Sequence, residues 1–237
     1  MSKNRYYVNS KNQVLPSVSE ITSQINKPGL LYFYGKYGTE KAQEIGNQAK
    51  QTGTELHSYI HHTLSKPKDK FELHSVNPAI LKNLIAGFDL FRKEYKLEPI
   101  VLEKAVQYNG DFPFAGTLDY FGYANEFLVL NDWKTSKDFY VEYELNAEAY
   151  YACLLQDLEL NKLIVEALKN NKFKLMLTSF SKDKPGFKVK FFEPSDERFQ
   201  AFQGLNRLWY FVNGSKPEKE IYAKRSSKRK YSSTRRK

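Results

Sequence analysis

Cysteine is almost missing: Cys153 is alone among 237 residues. One thiol forms no internal disulfide and cannot supply the thiolates of an iron–sulfur cluster or a structural zinc. Set within an apolar helical pattern, it reads as core. No run reaches the roughly eighteen consecutive apolar residues that a membrane span needs. The opening "MSKNRYYVNSK" has neither a signal-peptide core nor an arginine-rich transit pattern, so the expectation is a cytoplasmic protein, not secreted and without a membrane partner. There is no Gly-rich phosphate cradle with its Lys-Ser/Thr pair, which excludes ATP as a cofactor. Neither a nucleophile elbow nor an internal repeat is present.

What the chain has is 41% hydrophobic residues, enough for one good core, and a net charge of +10. The charge is unevenly placed. Residues 215–237 hold ten of the 37 Lys and Arg but two of the 27 Asp and Glu. That tail lacks apolar periodicity and is expected to be disordered, while its charge favours phosphate backbones through counterion release. Lys224, Arg225, Lys228, Arg229 and Lys230 are its candidate DNA contacts; a merely solubilising end is the alternative.

A short hairpin is expected about Asn9 to Asn12, with Tyr6, Tyr7 and Val8 on one arm and Val14 and Leu15 on the other. Ser17 and Glu20 have capping-box spacing at a helix start. Pro28 opens a second helical segment rich in aromatics. Gly38-Thr39 precedes a polar helix to about Gln51, and Gly53-Thr54 starts another. A longer helix spans about 77–95, with Ile80, Leu81, Leu84, Ile85, Phe88 and Phe91 as one apolar stripe. Periodicity then falls toward two over 98–108, 113–123 and 126–134, which reads as three strands. Helices at about 141–157 and 161–169, strands around 173–181 and 186–192, and a helix over 195–212 complete the pattern. The predicted fold is α/β, a mixed sheet flanked by helices, with a helical N-terminal region 1–97, core 98–214 and tail 215–237.

Within "GTLDYFGYANEFLVLNDWKTSK" three charged residues interrupt an apolar run. A two-residue turn at Ala124-Asn125 places Asp119 opposite Leu130, and Leu130, Asp132 and Lys134 share a face. Two carboxylates held together away from water need a cation or a proton between them. Hard oxygen ligands suit Mg²⁺ or Mn²⁺, and a neighbouring lysine can stabilise a developing anion, which points to metal-assisted hydrolysis of a phosphate ester. A structural Asp–Lys ion pair is the competing reading. Glu103, one strand earlier, offers a further carboxylate, and His57 an imidazole.

The ordered segments "GTELH" (His57), "LEKAV" (Glu103), "GTLD" (Asp119), "NDWK" (Asp132 to Lys134) and "NAEAYYACL" resemble the RecB-like branch of the PD-(D/E)xK nuclease superfamily. "YYVNSKNQVLPSVSEIT" and "KQTGTELH" are most similar to phage-type exonucleases and the mitochondrial genome-maintenance exonuclease. The resemblance runs from about residue 6 to about 155. It implies a restriction-endonuclease-like core, with His57, Asp119, Asp132 and the backbone carbonyl of Trp133 as metal ligands. Lys134 would be catalytic, and Glu103 matches the family's acidic position on the first core strand. Asn146 with Tyr150 matches the final motif, usually Gln and Tyr, and both become candidate DNA-binding residues. The four cysteines that hold an iron–sulfur cluster in some members are missing.

The implied activity is Mg²⁺- or Mn²⁺-dependent hydrolysis of DNA, as an exonuclease on single-stranded ends in replication, recombination or repair, within the host cytoplasm if a phage encodes it. A helicase, polymerase or single-strand-binding protein is a candidate partner. Two alternatives stay open: an inactive nuclease fold used as a DNA-binding or recruitment module, and a structure-specific endonuclease. The aromatics of "LLYFYGKYGTEK" read as core, with stacking on unpaired bases as the second reading. His57, His61 and His62 raise a zinc site, but no third ligand of the usual kind lies nearby.

Overall fold

The computed structural model describes residues 7–66, 69, 71, 72 and 75–214. Tyr6 and the basic tail 215–237, with Lys224, Arg225, Lys228, Arg229 and Lys230, lie outside the described residues. Strands β1 (Tyr7–Val8) and β2 (Val14–Leu15) pair antiparallel. Asn9 Oδ1 closes their turn by accepting from the backbone N–H of Lys11 and Gln13. Ser17 then caps α1 (Val18–Thr22) in the expected reciprocal box with Glu20.

Helix α2 (Pro28–Tyr37) starts at its proline, but none of its residues is buried. Leu31 is 70% and Tyr32 76% exposed. The aromatic stripe is therefore not core, contrary to the first reading: an all-round apolar sequence has no polar face to turn outward, and here it is left at the surface.

The expected break at Gly53-Thr54 is absent. Helix α3 runs unbroken over Thr39–Ser65. Thr52 and Thr54 donate to the carbonyls of Gln48 and Lys50 inside the helix instead of capping a new one. One internal glycine costs only about 1 kcal/mol, which burial of Thr52, Leu56 and Ile60 offsets. Helix α4 (Pro78–Glu94), capped by Asn77, buries the predicted stripe.

A mixed five-stranded sheet follows, in the order β3 (Leu97–Tyr108), β4 (Phe114–Ala124), β5 (Phe127–Lys134), β6 (Phe173–Phe180), β7 (Phe187–Phe192). Only β5 and β6 pair in parallel, and the crossover between them carries α5 (Val141–Leu154) and α6 (Leu158–Lys169). Helix α7 (Asp196–Asn213) closes the described chain. On one face Leu56, Ile60, Leu84, Phe88 and Phe91 pack with Tyr120, Val129 and Trp133. On the other Ala147, Leu154 and Ile164 pack with Leu118, Phe121, Leu128 and Leu130. Helices α1, α5 and α7 enclose a third cluster around Phe114, Cys153 and Phe202.

The β4–β5 turn is Asn125-Glu126, one residue later than expected, because Asn125 supplies the positive φ of +56° that the tight turn requires. Leu130 therefore faces Phe121, not Asp119. The register moves by two residues, which keeps side-chain parity along the paired rows up to Tyr120–Asn131, one short of Asp119 and Asp132.

Candidate active site

Besides a register shift between Pro99 and Val101, the sheet is irregular at one further row. The β3–β4 pairing is regular at Leu102–Tyr120 and Lys104–Leu118 but skips Glu103 and Asp119 between them. Glu103 has φ +46°, a conformation non-glycine residues rarely adopt. Leu118 and Phe121 pack on the α5/α6 face while Tyr120 packs on the α3/α4 face, so strict alternation breaks at Asp119. Pairing of β4 with β5 stops at Tyr120–Asn131, and beyond it the Asp119 Oδ2 accepts the backbone N–H of Trp133 at 2.8 Å. A side chain here takes the place of a ladder bond, and the strands part around it.

Into this opening α3 brings His57. Its Nδ1 lies 3.3 Å from Asp119 Oδ1 and 3.5 Å from a Glu103 oxygen, and its Nε2 lies 3.2 Å from the Trp133 carbonyl oxygen. All three partners are acceptors, so both ring nitrogens must carry protons to satisfy them. Burial alone would lower the His57 pKa, but the charges and hydrogen bonds of Asp119 and Glu103 outweigh it and push it up to about 10. A protonated imidazole would balance the Asp119 and Glu103 carboxylates, and it must give up a proton before a ring nitrogen can ligate a metal.

Asp132 pairs instead with the Lys134 ammonium. Burial, aided by the Asp119 charge, pushes the Asp132 carboxyl up to about 6 against the opposing pull of Lys134. Burial acts the same way on Asp119, but His57, Lys134 and the Trp133 N–H overcome it and hold that carboxyl below its usual value. For Lys134, burial is outweighed by Asp132 and Asp119, which raise its pKa. The ammonium also lies 4.7 Å from the centre of the Tyr143 ring.

One imidazole nitrogen and two carboxylate oxygens within 4.8 Å of one another form a set that could hold a metal ion. The Trp133 carbonyl beside them adds a neutral oxygen, and this donor chemistry fits a hard divalent cation. The histidine cluster does not assemble: His62 lies beside Phe71 and Asp69, and neither it nor His61 joins the group.

These residues open into a cavity of about 1120 Å³. One face of α3, with Lys50, Thr54, His57 and His61 at helical spacing, forms a wall, and Glu103, Asp119, Trp133 and Lys134 lie in the same lining. Asn146 and Tyr150 do not line it. Asn146 is buried, and its Oδ1 accepts from Thr22 Oγ1 at 2.8 Å. Tyr150 packs its ring against Gly116, where a Cβ would come within 2.5 Å. Burial and the charges of Asp132 and Asp119 raise its pKa.

Sequence reasoning missed Tyr143, Lys182 and the Tyr7–Thr117 hydroxyl pair at 2.9 Å, all in the cavity lining. Thr117, two residues before Asp119, could have been found by strand alternation. Nothing local marks Tyr143 or Lys182, which reach the cavity only through tertiary packing.

No protein-family model matches the chain, and no curated protein matches it. Among solved structures, one of a protein from Eubacterium rectale provisionally called an exonuclease shares 13% identity, covering 91% of this chain and 88% of that one, with a TM-score of 0.46. A protein designated SSO0001 shares 11% identity over 88% of this chain and 80% of its own, with a TM-score of 0.39. Likenesses this loose carry neither residue roles nor an activity across. No helix among the described residues is long and apolar enough to cross a membrane.

Proposed function

We propose that the chain is a metal-dependent nuclease of the RecB-like PD-(D/E)xK kind, which hydrolyses DNA phosphodiester bonds as an exonuclease at single-stranded ends. Residues 1–214 would form the nuclease domain and 215–237 a basic extension for phosphate contact. The observation that carries this reading is the His57, Glu103 and Asp119 cluster in one cavity with Lys134, whose ammonium pairs with Asp132 behind the lining.

His57, Glu103 and Asp119, with the Trp133 carbonyl, would hold the cation. Mg²⁺ or Mn²⁺ bound there would acidify a water and offset phosphate charge. Lys134 would orient that water and stabilise the charge gathering on the phosphoryl oxygens. Asp132, paired with Lys134, would fix the ammonium and could add a ligand oxygen. In the net reaction water oxygen bonds to phosphorus, one bridging P–O bond breaks, and the departing oxygen takes a proton.

The test is cleavage of a single-stranded oligonucleotide labelled in turn at its 5′ and 3′ ends, with Mg²⁺, Mn²⁺ or EDTA, and with Asp132→Asn as control. Metal-dependent release of mononucleotides from one end is expected. Internal cuts would favour an endonuclease, and intact DNA that still binds would favour a recruitment module.

A further inference from the structure

The β6–β7 turn is fixed from outside by α4. Gly87 of α4 lies so close to the turn that a Cβ there would come within 2.6 Å of the Gly186 carbonyl oxygen. Asn83 Nδ2, one turn earlier, donates to the carbonyl of Lys182 at 2.8 Å, and the Ser181 N–H reaches the Gly186 carbonyl at 3.0 Å. These contacts hold the backbone of Lys182, whose side chain lines the same cavity as the acids.

Lys182 is half-buried, and among the described residues no ion pair engages its ammonium. Burial lowers its pKa, and the adjacent Asp183 only partly restores it. A partly desolvated cation with no partner is costly unless something anionic arrives. Lys134 is shared with Asp132 and would serve the phosphate that is cleaved, so a polyanion entering a cavity that contains Glu103 and Asp119 gains from a further cation, which Lys182 supplies from the β6–β7 turn while Lys50 belongs to the α3 wall. The cavity volume of about 1120 Å³ exceeds the roughly 300–1,000 Å³ typical of a drug-sized ligand. The α3 wall from Lys50 to His61 is about 16 Å long at ~1.5 Å rise per residue. There is room for more than one nucleotide.

We propose that Lys182 binds a backbone phosphate of the DNA strand other than the phosphate that is cleaved, and so sets the position of the strand across the site. This rests on the nuclease reading for the identity of the polyanion.

The probe is a set of single-stranded DNA oligonucleotides, each with one neutral methylphosphonate linkage. Binding is measured by fluorescence anisotropy in EDTA, and cleavage separately with Mn²⁺. Wild type, Lys182→Met and Lys182→Arg are compared after thermal melts establish that each is folded. In wild type one linkage should cost roughly tenfold in affinity, as expected for a hydrogen bond to a charged group. Lys182→Met should lose that factor on unmodified DNA and become insensitive to that linkage, with KM raised more than kcat is lowered; Lys182→Arg should restore both. An unchanged linkage profile in Lys182→Met overturns the assignment even where cleavage is intact. A linkage effect abolished in Lys182→Met without any cleavage by wild type keeps the phosphate site and overturns the nuclease reading. Absence of binding overturns both.

Discussion

His57 Nδ1 and Asp119 Oδ1 lie 3.3 Å apart, joining the middle of α3 to the row where β4 and β5 separate. The same aspartate takes the Trp133 N–H on its other oxygen. Asp119 therefore organises the cluster as well as belonging to it. Asp119→Asn keeps an acceptor for Trp133 but removes the charge that a cation needs. Wild type should melt higher with Mn²⁺ or Mg²⁺, by about 2.7 kcal/mol at a hundredfold excess over Kd. The variant should lose most of that gain, and equal gains in both proteins would remove Asp119 from the metal site.

The Asp132–Lys134 pair is nearly closed to solvent, with side chains 10% and 20% exposed. Removing one member of a buried pair strands the other charge. Lys134→Met should destabilise the fold by about 3–5 kcal/mol in urea denaturation. Adding Asp132→Asn should return part of that loss, a coupling of about 0.5–3 kcal/mol. Strict additivity would show that the two side chains do not depend on each other.

Much of this was legible because strand and helix periods are local. The order along the chain of strands β3 to β7 and of the helices between β5 and β6 follows from them, whereas the two-residue register shift keeps parity only to Tyr120–Asn131, and beyond it Asp119 joins His57 and Glu103 while Asp132 pairs with Lys134. The sequence could not show that Gly53 sits inside one long helix, since tertiary burial of Thr52, Leu56 and Ile60 decides that against local propensity. The Asp132–Lys134 pair was in view as the competing reading of the hairpin, but local pattern could not decide it, because it depends on side-chain competition among several charges. Lys182 was invisible for a third reason: its place depends on Gly87 and Asn83 of a helix about a hundred residues earlier.

That dependence can be tested by stability as well. Gly87→Ala puts a methyl group 2.6 Å from the Gly186 carbonyl oxygen and 3.2 Å from its nitrogen, against backbone that cannot swing aside. Alanine favours helix by about 1 kcal/mol over glycine, so a purely local effect would stabilise. Overpacking of about 1–3 kcal/mol should reverse the sign. A net loss of stability on chemical denaturation is expected, and a net gain would mean that the turn is free to move away from α4.

The last prediction concerns acid sensitivity outside the cluster, at the partner of the residue that follows Glu103. Asp157 caps α6 by accepting the Leu160 N–H at 3.2 Å, and its other oxygen meets Lys104 at 2.8 Å. The Lys104 hydrogen bond is the main cause that holds its carboxyl below the ordinary 3.8. Because the folded pKa is depressed, the stabilisation is present in full above 3.8 and is lost as pH falls through the folded value. Asp157→Ala should cost about 1 kcal/mol near neutrality as a lost cap, and the gap to wild type should narrow in melts carried toward about pH 3. Asp157→Asn keeps the cap but not the charge, so its difference from wild type should shrink by the charged part alone. A gap between Asp157→Ala and wild type that stays constant across this range would assign the whole effect to capping geometry and none to the Lys104 pair.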